Sequence, residues 1–86
     1  MSYRVEINRK VAKSIEKLPK KEITKLLDKI TELGENPYPV GSKKLVGASE
    51  NVLRIRQGNY RIIYVVEEEV KLVEIRKIGH RRDVYL

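Results

Sequence analysis

Val52-Leu53-Arg54-Ile55-Arg56-Gln57, then Gly58-Asn59, then Tyr60-Arg61-Ile62-Ile63-Tyr64-Val65-Val66: apolar and polar residues alternate on both sides of a Gly-Asn step. Such alternation reads as a strand with one buried face. Gly followed by Asn makes a two-residue turn, the glycine supplying the positive φ that a type II′ turn needs first. With those two residues as the loop, Gln57 faces Tyr60, Arg56 faces Arg61, Ile55 faces Ile62 and Arg54 faces Ile63. One face then carries Leu53, Ile55, Tyr60, Ile62 and Tyr64, and the other Arg54, Arg56 and Arg61. Like charges directly opposite on one face are destabilising, by a few tenths to about 1 kcal/mol. Long hydrated side chains can splay apart, but the pairing points first to a site for an anion.

Outward from the hairpin, Lys43-Lys44-Leu45-Val46-Gly47 reads as a short strand or an extended approach to the sheet, and both lysines are candidates for the anion site. At the start of the chain Tyr3, Val5 and Ile7 alternate with Arg4 and Glu6, giving a first strand. Asn8 suits an N-cap, and Val11, Ala12, Ile15 and Leu18 follow at helical spacing. Pro19 ends that helix and opens the next. Ile23, Leu26, Leu27, Ile30 and Leu33 form the apolar stripe of the second helix, with Gly34 expected as its cap. Lysines and acids surround the stripe, spaced for ion pairs Glu22–Lys25, Lys25–Asp28 and Lys29–Glu32. Residues 35–42 are a turn-rich linker, Glu67-Glu68-Glu69 an acidic turn, and residues 70–78 a last strand with Val73 and Ile75 toward the helices. Gly79 is expected to break that strand, leaving His80-Arg81-Arg82-Asp83-Val84-Tyr85-Leu86 as a tail. The whole is one domain, residues 1–86, in the order β-α-α-β-β-β. It is an α+β fold in which an antiparallel sheet carries a two-helix hairpin on one face.

At 86 residues the chain can bury only a core one helix layer deep. Its formal net charge of +7 implies a polyanionic partner, through a field that steers association and releases counterions. No cysteine and a single histidine argue against a disulfide framework or a metal site, and no cofactor-binding motif is present. The N-terminal residues do not resemble a signal peptide, and no run approaches the length of a membrane span. A cytoplasmic protein without a membrane or metal partner is expected. Glycine-rich phosphate loops and nucleophile elbows are also missing.

The ordered set Leu53-Arg54-Ile55-Arg56, Gly58-Asn59-Tyr60-Arg61-Ile62-Ile63-Tyr64 and Ile78-Gly79-His80-Arg81-Arg82-Asp83-Val84-Tyr85 closely resembles the RelE branch of the RelE/ParE toxin superfamily. The opening strand, the helical hairpin and Lys43-Lys44-Leu45 fit as well, so the likeness spans the chain. The resemblance implies a toxin paired with a cognate antitoxin, a metal-independent endoribonuclease that cuts mRNA on the ribosome. In such enzymes the substrate's 2′-OH attacks the adjacent phosphate, cations hold the phosphorane, and an acid protonates the departing oxygen.

Mapped onto this chain, the resemblance makes Arg61 the residue that stabilises the phosphorane, Arg81 a cation assisting the leaving group, and Tyr85 a group that stacks on a base or binds the nucleophile. Arg54 and Arg56 stand where well-known relatives carry lysine. Arginine does not give up its proton in ordinary conditions, so these two are cast as phosphate clamps, with Lys43, Lys44 and Arg82 as further RNA contacts. His80 is the candidate for proton transfer, since imidazole exchanges protons near neutral pH. Two other readings share the fold: a ParE-type inhibitor of DNA gyrase, and a non-catalytic RNA-binding member.

Overall fold

The computed structural model describes residues 2–47 and 49–80. Its elements are β1 (Arg4–Ile7), α1 (Arg9–Glu16), α2 (Lys20–Glu35), β2 (Lys43–Lys44), β3 (Val52–Gln57), β4 (Tyr60–Glu67) and β5 (Leu72–His80). The fold class and element order are those expected, with Lys43 and Lys44 realising the short strand. Sheet order is β1-β5-β4-β3-β2. Every pairing from β2 to β5 is antiparallel, but β1 runs parallel to β5, so the sheet is mixed rather than wholly antiparallel. Residue alternation says which way side chains point and nothing about which distant strand lies alongside. The helical hairpin returns the chain to the beginning of β1, where the Tyr3 amide donates to the Gly34 carbonyl at 2.6 Å. Successive reversals then bring β5 alongside β1 in the same direction.

The β3–β4 register is the expected one, from Gln57 opposite Tyr60 to Arg54 opposite Ile63. Gly58 takes φ +61° at the first turn position, where a side chain would be strained. Against the helix-facing side pack Val11 and Ile15 of α1 and Leu26, Ile30 and Leu33 of α2. They meet Leu53, Ile55, Ile62, Tyr64, Val66, Val73, Ile75 and Ile78 from the sheet. Tyr64 is fully buried, and its phenol donates to the Pro37 carbonyl at 2.6 Å. Burial pushes that phenol up to about 12, so it stays a neutral donor. A second, smaller cluster of Val52, Ile63 and Val65, with Leu45 against it, lies on the other side of the sheet.

One irregularity sets the parity of β5. Ile63 pairs with Lys77 but Tyr64 with Ile75, leaving Arg76 as an extra residue. This β-bulge lets Ile75 and Ile78, three apart, both enter the helix-side core. Strict alternation would have sent one of them to the opposite face.

Local details depart from the sequence pattern where tertiary contacts outweigh it. The strand does not break at Gly79 but continues to His80, because Arg61 and Tyr60 supply backbone partners. Leu27 is 43% exposed, at the outer margin of the stripe. Of the expected helix ion pairs only Lys29–Glu32 forms among the described residues, at 3.4 Å. Asn8 caps α1 as expected, accepting from the Val11 amide at 2.8 Å.

Gly34 is not the cap of α2, which runs on to Glu35 with Asn36 as its C-cap. Its role is steric, since a Cβ there would lie 2.9 Å from Val5 Cγ2 and 3.3 Å from the Tyr3 carbonyl oxygen. Gly34→Ala gains up to about 1 kcal/mol of helix propensity but incurs about 1–3 kcal/mol of overpacking. Net destabilisation in urea melts is expected, with partial recovery in Gly34→Ala/Val5→Ala.

At the other end of the sheet, Glu68 ties together three distant segments. It accepts from the Tyr3 phenol at 2.6 Å and from the Tyr38 phenol, and Lys71 lies 3.3 Å away. Asn51 donates to the Tyr38 oxygen at 3.0 Å. The Tyr3 and Tyr38 hydrogen bonds hold the Glu68 carboxyl below its ordinary value of 4.5. A depressed carboxyl stabilises the folded state above the unfolded pKa, and the contribution fades as pH falls through the folded one. Glu68→Gln should therefore be less stable than the parent at neutral pH and lose less on acidification below about pH 4.5, as thermal melts across the acid range would show.

Candidate phosphate-binding site

Arg54, Arg56 and Arg61 project from β3 and β4 on the side away from the helices. Each strand sends its alternate residues there, because Leu53, Ile55, Ile62 and Tyr64 are held in the core. Lys43 joins them because β2 pairs it with Arg54. Gly41, Lys43, Arg54, Arg56 and Arg61 together line one concavity of about 270 Å³. Pockets for drug-sized ligands start at roughly this size, so the space suits a phosphate with part of its sugar.

Among the described residues, cations make up its whole charged lining. Among the described residues no carboxylate lies within ion-pair distance of Lys43, Arg54, Arg56 or Arg61. Arg54 and Arg61 are half-buried, and Arg56 and Lys43 are exposed. Arg56 sits directly opposite Arg61, and across the other edge of β4 Arg61 faces Gly79, which has no side chain. The result is like charges facing each other with nothing on the described chain to neutralise them. Planar guanidinium forks match phosphate oxygens bidentately, so an incoming phosphate would replace repulsion with charge-assisted hydrogen bonds.

The other candidate residues fall elsewhere. Lys44 pairs with Leu53 and so takes the opposite parity from Lys43, outside the concavity. His80 pairs with Tyr60, on the helix side of the sheet, and its ring meets the Tyr60 ring edge-on at 5.8 Å between centroids. Arg81, Arg82 and Tyr85 lie outside the described residues. Gly41 is a lining residue that sequence reasoning missed. Its signal was a glycine two residues before Lys43 in a turn-rich linker, and it adopts φ +97° with open space around it.

Residues 5–85 match the family described as "ParE toxin of type II toxin-antitoxin system, parDE". The chain is a toxin of the RelE/ParE family. Within that family its likeness runs toward RelE. The toxin is 36% identical to the putative toxin RelE1 of Methanocaldococcus jannaschii, over 99% of its own length and 97% of that protein's. Toxin RelG of Mycobacterium tuberculosis is 28% identical, over 99% of this chain and 98% of that one. Among solved structures, the archaeal RelE–RelB complex from Pyrococcus horikoshii contains a chain that superposes with a TM-score of 0.85 at 33% identity. That alignment covers 98% of this toxin and 100% of the matched chain.

The like-charge pair gives the site a measurable signature. Removing one partner with Arg56→Thr should raise stability in anion-free buffer by roughly 0.2–1 kcal/mol, the cross-strand range. The same variant should lose most of the stabilisation that added phosphate confers on the parent protein, since a ligand stabilises only the state that binds it. Thermal melts with and without phosphate read both effects.

Proposed function

We propose that this toxin is a ribosome-dependent endoribonuclease that inhibits translation by cutting mRNA, and that a cognate antitoxin neutralises it. The observation that carries the reading is the concavity lined by Lys43, Arg54, Arg56 and Arg61, with no carboxylate among its described lining residues. A phosphorane carries more negative charge on its oxygens than the ground-state diester, so a preorganised ring of cations binds it more tightly than substrate. Arg54, Arg56 and Lys43 hold the scissile phosphate, and Arg61, flanked by Arg56 and by side-chain-free Gly79, meets the developing charge. The message's own 2′-OH is the nucleophile. Its oxygen loses a proton and attacks phosphorus, the P–O5′ bond breaks, and the 5′-oxygen takes up a proton, leaving a 2′,3′-cyclic phosphate and a 5′-OH with no net gain or loss of protons. Guanidinium groups supply charge but not a general base. The family resemblance assigns the remaining groups to the C-terminal residues, with Arg81 beside the leaving oxygen, Arg82 on the backbone and Tyr85 against a base or the 2′-OH.

The acidic residues of an antitoxin would answer the net charge of +7 and occupy the same cationic face. Gyrase inhibition on this fold is the second reading, favoured by the ParE description of the matching family.

Programmed ribosomes incubated with the toxin, followed by mapping of the message's 3′ ends, test the proposal. Cuts in the A-site codon are expected, with Arg61→Ala about 10²–10³ slower, the usual loss for one transition-state donor. Intact message together with inhibited gyrase supercoiling would transfer the assignment to the second reading. Because His80 lies with Tyr60 on the other face of the sheet, His80→Gln should keep the single-turnover rate and its pH profile across roughly the neutral range.

A further inference from the structure

The sheet face that carries the arginines is only half cationic. Beyond Arg54 the same face turns apolar, with Ile63 directly opposite Arg54 and Val52 opposite Val65 one step further on. Among the described residues helices cover only the other side of the sheet, yet Val52, Ile63 and Val65 form a cluster of their own with Leu45. They floor a slot of about 330 Å³. Leu45, Val46 and Gly47 wall it from the β2 side and Arg76 from the β5 side. The Arg76 guanidinium is fixed in place by Glu50 at 2.9 Å and Glu74 at 2.6 Å. Val46 is fully exposed, an apolar side chain held at the rim with no cover among the described residues.

We propose that this slot is a nucleobase subsite, taking the base of the nucleotide whose phosphate lies among Lys43, Arg54, Arg56 and Arg61. The inference rests on the phosphate reading and adds what lies beside the phosphate. Its warrant is continuity and scale. Arg54 and Val52 are two residues apart on β3, about 7 Å along the strand. One sugar separates a phosphate from its own base, so a ligand anchored at Arg54 has its base over the apolar half of the face. A base is flat and apolar on its faces and polar at its edge. The slot answers both, with aliphatic side chains below and a fixed guanidinium flanked by carboxylates at one wall. The chain between Gly41 and Gly47, both at positive φ, walls both halves, contributing Lys43 to one and Leu45 and Val46 to the other. Phosphate and base thus read opposite ends of one short segment.

The test is methyl and arginine side-chain NMR on the full-length toxin with three probes: inorganic phosphate, ribose 5-phosphate and a nucleoside 5′-monophosphate. All three should perturb Arg54, Arg56 and Arg61, while only the nucleotide moves the methyls of Leu45, Val46, Val52 and Ile63. The nucleotide should bind about five- to tenfold more tightly than ribose 5-phosphate, the gain from covering roughly 50 Å² of apolar surface. Val46→Ser, at an exposed position that leaves the fold alone, should shrink that ratio without changing the affinity for ribose 5-phosphate. Equal binding of nucleotide and ribose 5-phosphate with unmoved methyls would overturn the subsite and leave the phosphate site standing. Arginine signals that ignore all three probes would remove the phosphate site and the subsite with it. Methyls that respond to the antitoxin chain but not to nucleotide would also overturn the proposal, making the slot a protein contact.

Discussion

A two-residue loop between Gln57 and Tyr60 decides the rest of this molecule. Side chains on a strand alternate with a period of two, so a one-residue slip in the β3–β4 register would move every residue to the wrong face. With Gly58 at positive φ the loop closes in one way, and Arg56 is fixed opposite Arg61 as firmly as Ile55 opposite Ile62. The buried pair and the charged pair are two outcomes of one constraint. Hydrophobic burial on the helix side holds the register, and that register holds cations together that would otherwise separate.

The bulge at Arg76 performs a complementary task on the neighbouring strand. Without it, β5 could not offer Ile75 and Ile78 to the helices. With it, Arg76 leaves the regular alternation and reaches Glu50 and Glu74 beside the apolar cluster of Val52, Ile63 and Val65. One extra residue therefore satisfies the core and also shapes the opposite face.

Local physics made much of this legible in the chain before any coordinates. The hairpin register, the Asn8 cap, the helix stripes and the concentration of arginines on one face all follow from spacing and turn chemistry. What the sequence hid were long-range matters. The parallel seat of β1 depends on where the helical hairpin returns the chain. Gly34 looked like a cap because glycine commonly ends helices, whereas its lack of a side chain is needed by Val5 and Tyr3. His80 was a candidate because Gly79 was expected to break the last strand and free a tail that could reach the arginine face. An uninterrupted β5 places it instead with Tyr60, one parity step away. Lys43 and Lys44 could not be told apart until their pairing with β3 was known.

The parallel seat of β1 also bears on how the protein comes into being. Arg4 has its sheet partner at Leu72, so β1 cannot take its seat until β5 has been made. The meander of β2, β3 and β4 joins strands that are neighbours in sequence, whereas the edge next to β1 joins strands far apart in it. Pairings between segments so far apart in sequence are slow to form, because closing a long loop precedes any gain from the contacts. The β1–β5 edge is therefore expected to close after the β2–β4 meander.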